Sequence, residues 1–128
     1  MTSIAYQGMV IFCRDVERSA QFYEGLLGFR RERADGDVAL SAPVAGTKDA
    51  TIGILLHPGG AGATAGHDIG TFQVDDVDAV VGRLRSAGVP VRTEPVDEPW
   101  GVRHATVLDP DGHGVDLVGP PTSTGGPA

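Results

Sequence analysis

One stretch decides the fold: Val10-Ile-Phe-Cys-Arg-Asp-Val-Glu-Arg-Ser-Ala-Gln-Phe-Tyr-Glu-Gly-Leu-Leu-Gly-Phe29. Its pattern is repeated later in the chain by Thr71-Phe-Gln-Val-Asp-Asp-Val-Asp-Ala-Val-Val-Gly-Arg-Leu-Arg-Ser-Ala-Gly-Val89. Each stretch is an apolar strand followed by Asp, by a helix and by Gly. Asp15 in the first copy therefore corresponds to Asp76 in the second, at a distance of about half the chain. An internal repeat of this length predicts two similar modules. Two such modules normally face each other, so the pattern also predicts a ligand site between them.

Composition and charge restrict the class of protein. The 128 residues predict one compact domain, residues 1–128, and the formal charge of −7 argues against binding to nucleic acid or to an anionic membrane surface. No apolar run approaches the ~20 residues that span a bilayer. The N-terminus has no signal-peptide pattern, and the one cysteine, Cys13, forms no internal disulfide. We therefore expect a cytoplasmic protein.

The first module is predicted to span residues 4–57. Its first strand covers residues 4–13, and Asp15 is suited to cap the helix that follows, because a carboxylate accepts hydrogen bonds from free amides of the first turn. Gly28 fits the left-handed position that ends the helix. Two further strands are predicted at residues 37–41 and 50–57.

The second module is predicted to span residues 67–118, after a linker at residues 58–66 rich in Gly and Ala. Asp76 and Gly88 are the expected helix cap and helix end. Residues 101–108 and 114–118 are typical of a β-hairpin, since Asp109-Pro-Asp-Gly112 has turn chemistry. The tail at residues 119–128 offers little to bury and is expected to be mobile.

Several motifs along the chain together carry a resemblance to a known family. They are Arg14-Asp-Val-Glu-Arg-Ser19, Phe22-Tyr23, Leu27-Gly-Phe29, Val74-Asp-Asp-Val-Asp78, Pro99-Trp-Gly-Val-Arg103, Asp109-Pro-Asp-Gly112 and Asp116-Leu117. With these motifs in this order, the chain resembles the vicinal oxygen chelate superfamily, which includes glyoxalase I, extradiol dioxygenases and bleomycin-resistance proteins. The resemblance, over about residues 4–118, implies an α+β fold of two βαβββ modules. Each module would form a curved half-barrel over a concave cleft, commonly in a homodimer.

Enzymes of this family hold a divalent metal with four side chains, and the resemblance gives their positions here. Carried over by spacing, these positions are Gly8, Leu55, Ile69 and Asp116. Three of the four cannot bind a metal, so we expect no metal cofactor. A relocated metal site remains as an alternative, and it would use His57, His67 and Asp116.

Alternation along the strands suggests which side chains line the cleft. We expect ligand contacts from Phe12, His57, His67, Thr71, Gln73, Trp100 and Arg103, with Asp116 as a possible general base. Each has a structural alternative. Trp100 could fill space, Arg103 could form a salt bridge, and Asp116 could accept a hydrogen bond from Thr106 or Trp100.

The main hypothesis is metal-independent binding of a small, aromatic or oxygen-rich organic molecule, of the antibiotic-resistance or sequestration type. The architecture suits a ligand, whereas the chelating side chains are missing. The alternative is an enzyme of the same superfamily: a metal-dependent lyase or dioxygenase with displaced ligands, or a metal-free isomerase or cyclase of secondary metabolism. A purely structural or assembly role is a third hypothesis. In each case the expected partners are a small molecule and a second copy of the chain.

Overall fold

The computed structural model describes residues 3–59 and 68–122. The chain divides into two compact units, Met1–Ala63 and Thr64–Ala128, and each contains one copy of the repeat. Most of the predicted linker and the end of the predicted tail lie outside the described residues.

Unit 1 is a four-stranded sheet with one helical segment. In chain order its elements are β1 (Gly8–Cys13), α1 (Val16–Ala20), a π-helical turn (Gln21–Leu26), β2 (Arg30–Ala34), β3 (Val38–Pro43) and β4 (Thr51–Pro58). The strands lie in the order β1-β4-β3-β2. The β1–β4 pair is parallel and the other pairs are antiparallel, as a helical crossover followed by a meander requires.

Local chemistry fixes the ends of this helical segment. The Asp15 carboxylate accepts a hydrogen bond from the Arg18 amide at 3.1 Å, so the predicted helix cap is confirmed. Gly28 has φ +80°, the left-handed conformation expected of it. The helix widens into a π turn before that point, with the Leu27 amide bonded to the Phe22 carbonyl. The sequence pattern gave no sign of this widening.

Unit 2 repeats the arrangement. Its elements are β5 (Asp68–Gln73), α2 (Val77–Ser86), β6 (Val91–Asp97), β7 (Arg103–Leu108) and β8 (Gly114–Gly119), and its strands lie in the order β5-β8-β7-β6. Asp76 caps α2 through the Ala79 amide at 3.1 Å, and Gly88 has φ +88°. The predicted hairpin is the β7–β8 pair. The α+β fold of two βαβββ modules is confirmed, with two open four-stranded sheets.

Helices cover one face of each sheet. In unit 1, Ile11, Leu40, Ile54 and Leu56 are buried on the face that carries α1. In unit 2, the buried face of the sheet carries Ala105, Val107, Val115 and Leu117, and α2 packs on it with Val77, Val81 and Leu84. Strand side chains alternate between faces, so the residues between these core positions lie on a face without helical cover. We call this second face the open face of each sheet.

Two strands were missed by residue patterns alone. β2 is Arg-Arg-Glu-Arg-Ala, without apolar alternation, and β6 contains Pro95, which normally argues against a strand. Both are edge strands, where charge and proline are tolerated because one side of the strand needs no partner. Among the helices in the described part of the chain, none is long and apolar enough to cross a membrane.

The β1–β4 pair depends on a glycine. A Cβ atom at Gly8, where φ is +156°, would lie 2.1 Å from the Gly53 carbonyl oxygen. We expect Gly8→Ala to lower the free energy of unfolding by about 2 kcal/mol or more, because backbone would have to move. In the matched control, Gly82→Ala on α2, the added Cβ meets nothing within 4 Å. That change should raise stability by about 0.5–1 kcal/mol through helix propensity. Urea unfolding of both variants provides the comparison, and equal stability of the two would contradict this account.

Candidate functional site

The open face of unit 1 is apolar at its centre. Strand pairing places Val10 beside Leu55 and Leu55 beside Ala39, so the three side chains form one row across β1, β4 and β3. Val10 is 52% exposed, and Phe12, next along β1, is 39% exposed. Exposed apolar side chains in a contiguous group mark a binding surface more often than isolated ones do.

A shallow depression of about 270 Å³ lies over this row. Its lining is formed by Gln7, Gly8, Met9, Val10, Arg33, Ala39, Leu40, Gly53, Ile54 and Leu55. The paired glycines, Gly8 and Gly53, expose backbone at one end of the depression. Arg33 supplies its positive charge and forms ion pairs with Asp35 and with Asp37, the latter at 3.1 Å. The depression is therefore mainly apolar, with a polar group at its edge.

Phe12, His57 and Asp37 form the next row of unit 1. The Phe12 and His57 rings meet edge to face with centroids 5.9 Å apart, and His57 Nδ1 lies 3.5 Å from Asp37 Oδ2. Burial on its own would raise the pKa of Asp37. Hydrogen bonds from Arg33 and His57 outweigh that effect and hold the pKa of this carboxyl below its ordinary value. His57 thus lies beside a carboxylate and contacts an aromatic ring edge to face.

The open face of unit 2 is polar at its centre. Thr71 on β5 pairs with Asp116 on β8, and Asp116 pairs with Thr106 on β7. The neighbouring row is Gln73, Val118, His104 and Val96. The positions of Thr71 and Asp116 correspond by register to Val10 and Leu55 of unit 1. The repeated fold therefore carries apolar side chains in one unit and hydrogen-bonding side chains in the other.

Four side chains of unit 2 form a connected cluster, which we call the His104 cluster: Glu98, His104, Thr106 and Asp116. The Thr106 hydroxyl donates to Asp116 Oδ1 at 2.6 Å. His104 Nε2 lies 3.3 Å from Thr106 Oγ1 and 3.6 Å from Asp116 Oδ1, while His104 Nδ1 lies 3.4 Å from Glu98 Oε2. One imidazole thus lies between two carboxylates.

Sequence reasoning found only part of this cluster. The predicted alternative for Asp116, a hydrogen bond from Thr106, is present. His104 is two residues before Thr106 and so shares its face, a signal that strand alternation contains. Glu98 lies in the turn after β6, and strand alternation does not predict the position of a turn residue. Its approach to His104 depends on the turn closed by the Glu98 amide on the Val102 carbonyl at 2.7 Å.

Arg103 does not lie on the open face of unit 2, where ligand contacts were predicted. Its guanidinium binds Asp78 of α2 through two hydrogen bonds, of 2.7 and 3.0 Å, and Asp97 of β6 at 3.1 Å. These hydrogen bonds, to Asp78 first and then to Asp97, raise the pKa of Arg103 above its ordinary value. Arg103 therefore fastens α2 to the sheet, on the face opposite His104, and the salt-bridge alternative describes it. Trp100 lies largely exposed in the turn between β6 and β7.

Comparison with known proteins places this geometry in a family. The family model for the glyoxalase/bleomycin resistance protein/dioxygenase superfamily matches residues 5–117. The chain belongs to that superfamily. It is 35% identical over 104 residues to the anthracycline biosynthesis protein DauV of Streptomyces sp. strain C5, covering 81% of this chain and 37% of DauV. The chain thus spans little more than a third of the length of that curated relative.

Two solved structures of this superfamily fold have the same architecture over nearly the whole chain. TnmS3, an antibiotic binding protein from a Streptomyces species, is 27% identical with a TM-score of 0.68, and the match covers 94% of this chain and all of TnmS3. A superfamily member from Sphaerobacter thermophilus is 26% identical with a TM-score of 0.70, covering 91% of this chain and 98% of that one.

The four family metal positions do not fit a metal in this member of the superfamily. A side chain at position 8 would collide with the Gly53 carbonyl, and Leu55 is apolar. Ile69 lies at a bulge where Asp68 and Gly70 are the residues that pair with β8. Only Asp116 has a ligand-type side chain, and it accepts a short hydrogen bond from Thr106.

The alternative metal set stays a prediction. His67 lies outside the described residues, and His57 and Asp116 belong to different units. Asp109, Asp111 and His113 do place ligand-type atoms within 4.8 Å of one another. However, Asp109 Oδ1 accepts the Asp111 and His113 amides at 2.9 Å each, which holds the β7–β8 turn.

The side chains at the four family metal positions predict a low metal content for the purified protein. We expect protein purified without a His-tag to contain well under one equivalent of Zn, Ni, Mn or Fe, because imidazole and carboxylate groups do not converge at the family positions. Elemental analysis by mass spectrometry, before and after dialysis against EDTA, measures this directly. A full equivalent that survives gel filtration and is lost to EDTA would contradict the expectation.

Proposed function

We propose that this superfamily member binds a small, planar, aromatic molecule bearing oxygen substituents, and that it does so without a metal. The observation that carries the proposal is the open face of unit 1. There an apolar row lines a depression with Arg33 at its edge. The exposed Phe12 ring and His57 form the next row along the same strands. Apolar lining with a few fixed polar groups is the usual composition of a small-molecule site.

Taken by itself, the open face of unit 2 also offers groups that suit an oxygen-bearing molecule. Thr71 and Gln73 are exposed there, beside the carboxylate of Asp116. Hydroxyl and amide groups pair with hydroxyl and carbonyl oxygens. A phosphate is disfavoured, since Arg33 and Arg103 are both committed to carboxylates. Trp100 remains a proposed contact because its exposed indole offers a stacking surface.

The relatives point to the same class of molecule. DauV takes part in anthracycline biosynthesis and TnmS3 binds an antibiotic, according to their names. Both similarities extend over most of this chain. We therefore propose an antibiotic-like aromatic compound as the ligand, held for sequestration or transfer.

Phe12→Ala tests the proposed face with hydroxymethyl-anthraquinone, a neutral planar probe, by absorbance titration. Wild-type protein should bind it saturably. The variant should bind about fivefold or more weakly, because loss of an aromatic contact costs about 1 kcal/mol beyond lost area. The fold should be retained, since the ring is partly exposed. Val80→Ala, an apolar truncation on α2, is the matched control and should bind like wild type. Equal affinity of all three proteins would show that the unit 1 face is not the site.

We also propose that the protein forms a homodimer. Members of the superfamily often dimerise, and in the segment before β1 the side chains of Ile4 and Tyr6 are 97% and 72% exposed. A stable twofold interface normally buries more than ~1,200 Å² in total. Multi-angle light scattering at micromolar concentration should give twice the chain mass of 13.2 kDa. A single peak at the monomer mass would contradict the proposal.

A further inference from the structure

Gly53 occupies a position of β4 at which a side chain would stand on the open face of unit 1. Side chains alternate along a strand, so Gly53 shares its face with Leu55 and His57. Ile54 and Leu56 between them are buried on the face that carries α1. Gly53 itself is exposed and lines the depression. The floor of the depression is therefore one side chain lower at Gly53 than at the apolar row beside it.

The β4 backbone does not require a glycine at this position. Gly53 is not among the glycines with a positive φ angle. Among the described residues, a Cβ atom at Gly53 would contact only the Gln7 carbonyl oxygen, at 3.6 Å, which is an ordinary van der Waals distance. Packing thus explains Gly8, where a Cβ atom would collide with the Gly53 carbonyl, but it does not explain Gly53. A glycine inside a strand weakens the strand and often marks a place where a ligand approaches the backbone closely.

The equivalent position of unit 2 is filled. By strand register, Gly114 on β8 corresponds to Gly53 on β4. A Cβ atom at Gly114 would collide with the Asp68 carboxylate and lie 3.0 Å from Arg92 Nη1. Asp68 and Arg92 form an ion pair of 3.0 Å. In unit 2 the chain's own side chains thus occupy the space that stays open over Gly53 in unit 1.

A second feature of the same open face lies four residues further along the strand. The partly exposed ring of Phe12 belongs to the residue that pairs with His57. A strand advances ~3.3 Å per residue, so this ring and the space over Gly53 are about 13 Å apart along the sheet, with Val10 and Leu55 between them. A molecule with one aromatic ring contacts one of these two features, whereas linearly fused rings contact both.

We propose that Gly53 is a specificity-determining residue, which admits one end of a linearly fused aromatic ligand of three or more rings. This rests on the proposed binding of planar aromatic molecules by the open face of unit 1, and it defines their class by length. Phe12 contacts one end of the ring system, and Val10 and Leu55 support its middle. The other end lies over Gly53. Molecules of one or two rings need only part of this surface and bind without regard to the residue at position 53.

Gly53→Ala and Gly53→Val test this by adding first a methyl group and then a branched side chain. Valine suits a strand and is stiff at χ1, so it does not swing aside. Hydroxymethyl-anthraquinone, with three rings, is titrated by absorbance, and hydroxymethyl-naphthalene, with two, by its fluorescence. Gly53→Val should bind the three-ring probe about tenfold or more weakly, because the added side chain fills space that the ligand needs. Gly53→Ala should lie between Gly53→Val and wild type. The affinity of both variants for the two-ring probe should stay within about twofold of wild type.

Thr51→Val is the matched control, because it places the same side chain on the same strand. Thr51 is exposed and lies two residues before Gly53, outside the lining of the depression. Valine there replaces a side chain of similar size, so both probes should bind as they do to wild type. Urea unfolding checks the fold of each variant. The unfolding midpoints of the Gly53 variants should equal or exceed that of wild type, since a strand glycine is replaced.

Equal weakening of both probes in Gly53→Val, or similar weakening in Thr51→Val, would overturn selection by length at this residue. A lower unfolding midpoint in both Gly53 variants would show that the fold requires the glycine, and would overturn it as well. If the three-ring probe binds both Gly53 variants like wild type but binds Phe12→Ala more weakly, the ligand does not reach Gly53. In that case the inference fails and the proposed function stands. If wild-type protein does not bind the three-ring probe at all, the proposed function fails and this inference fails with it.

Discussion

The one-sided covering of each sheet is the constraint on which the rest of the molecule depends. The crossover helix of each repeat packs on one face of its sheet, α1 on β3 and β4, and α2 on β6, β7 and β8. The core therefore forms on that face, with Leu56 in unit 1 and Leu117 in unit 2 fully buried. Every second residue of the same strands is left on the other face, where selection for packing by the helix does not act. Binding chemistry can vary there without disturbing the core.

The two units carry different side chains at equivalent positions of their open faces. By strand register, Leu55 of unit 1 corresponds to Asp116 of unit 2, and Ala39 corresponds to Thr106. An aliphatic side chain in unit 1 is thus matched by a carboxylate in unit 2, and a methyl group is matched by a hydroxyl-bearing side chain. On the helical face the equivalent positions stay apolar, as Leu56 and Leu117 show. At these positions the two units differ on the open face and agree on the helical face. This is the pattern expected when a repeat is kept for stability while its exposed side chains take on recognition.

Strong local signals made much of the fold predictable from the sequence. Asp15 and Asp76 cap helices because a carboxylate satisfies free amides whatever the tertiary context. Residues whose position depends on non-local contacts could not be found in this way. Arg103 looked available for a ligand, but Asp78 and Asp97 reach it from separate elements. Such pairings are invisible to periodicity, which reports on one element at a time.

The two faces of the unit 2 sheet also differ in the basic side chain that lies between carboxylates. On the helical side of unit 2, Arg103 joins strand to helix with a charge that does not change with pH. On the open face, the place between two carboxylates is taken by the imidazole of His104. A permanent cation is suited to holding elements together, since its contribution is constant. His104 contacts Glu98 in the turn after β6 and Asp116 on β8, so its contacts order side chains on the open face and do not join the sheet to α2.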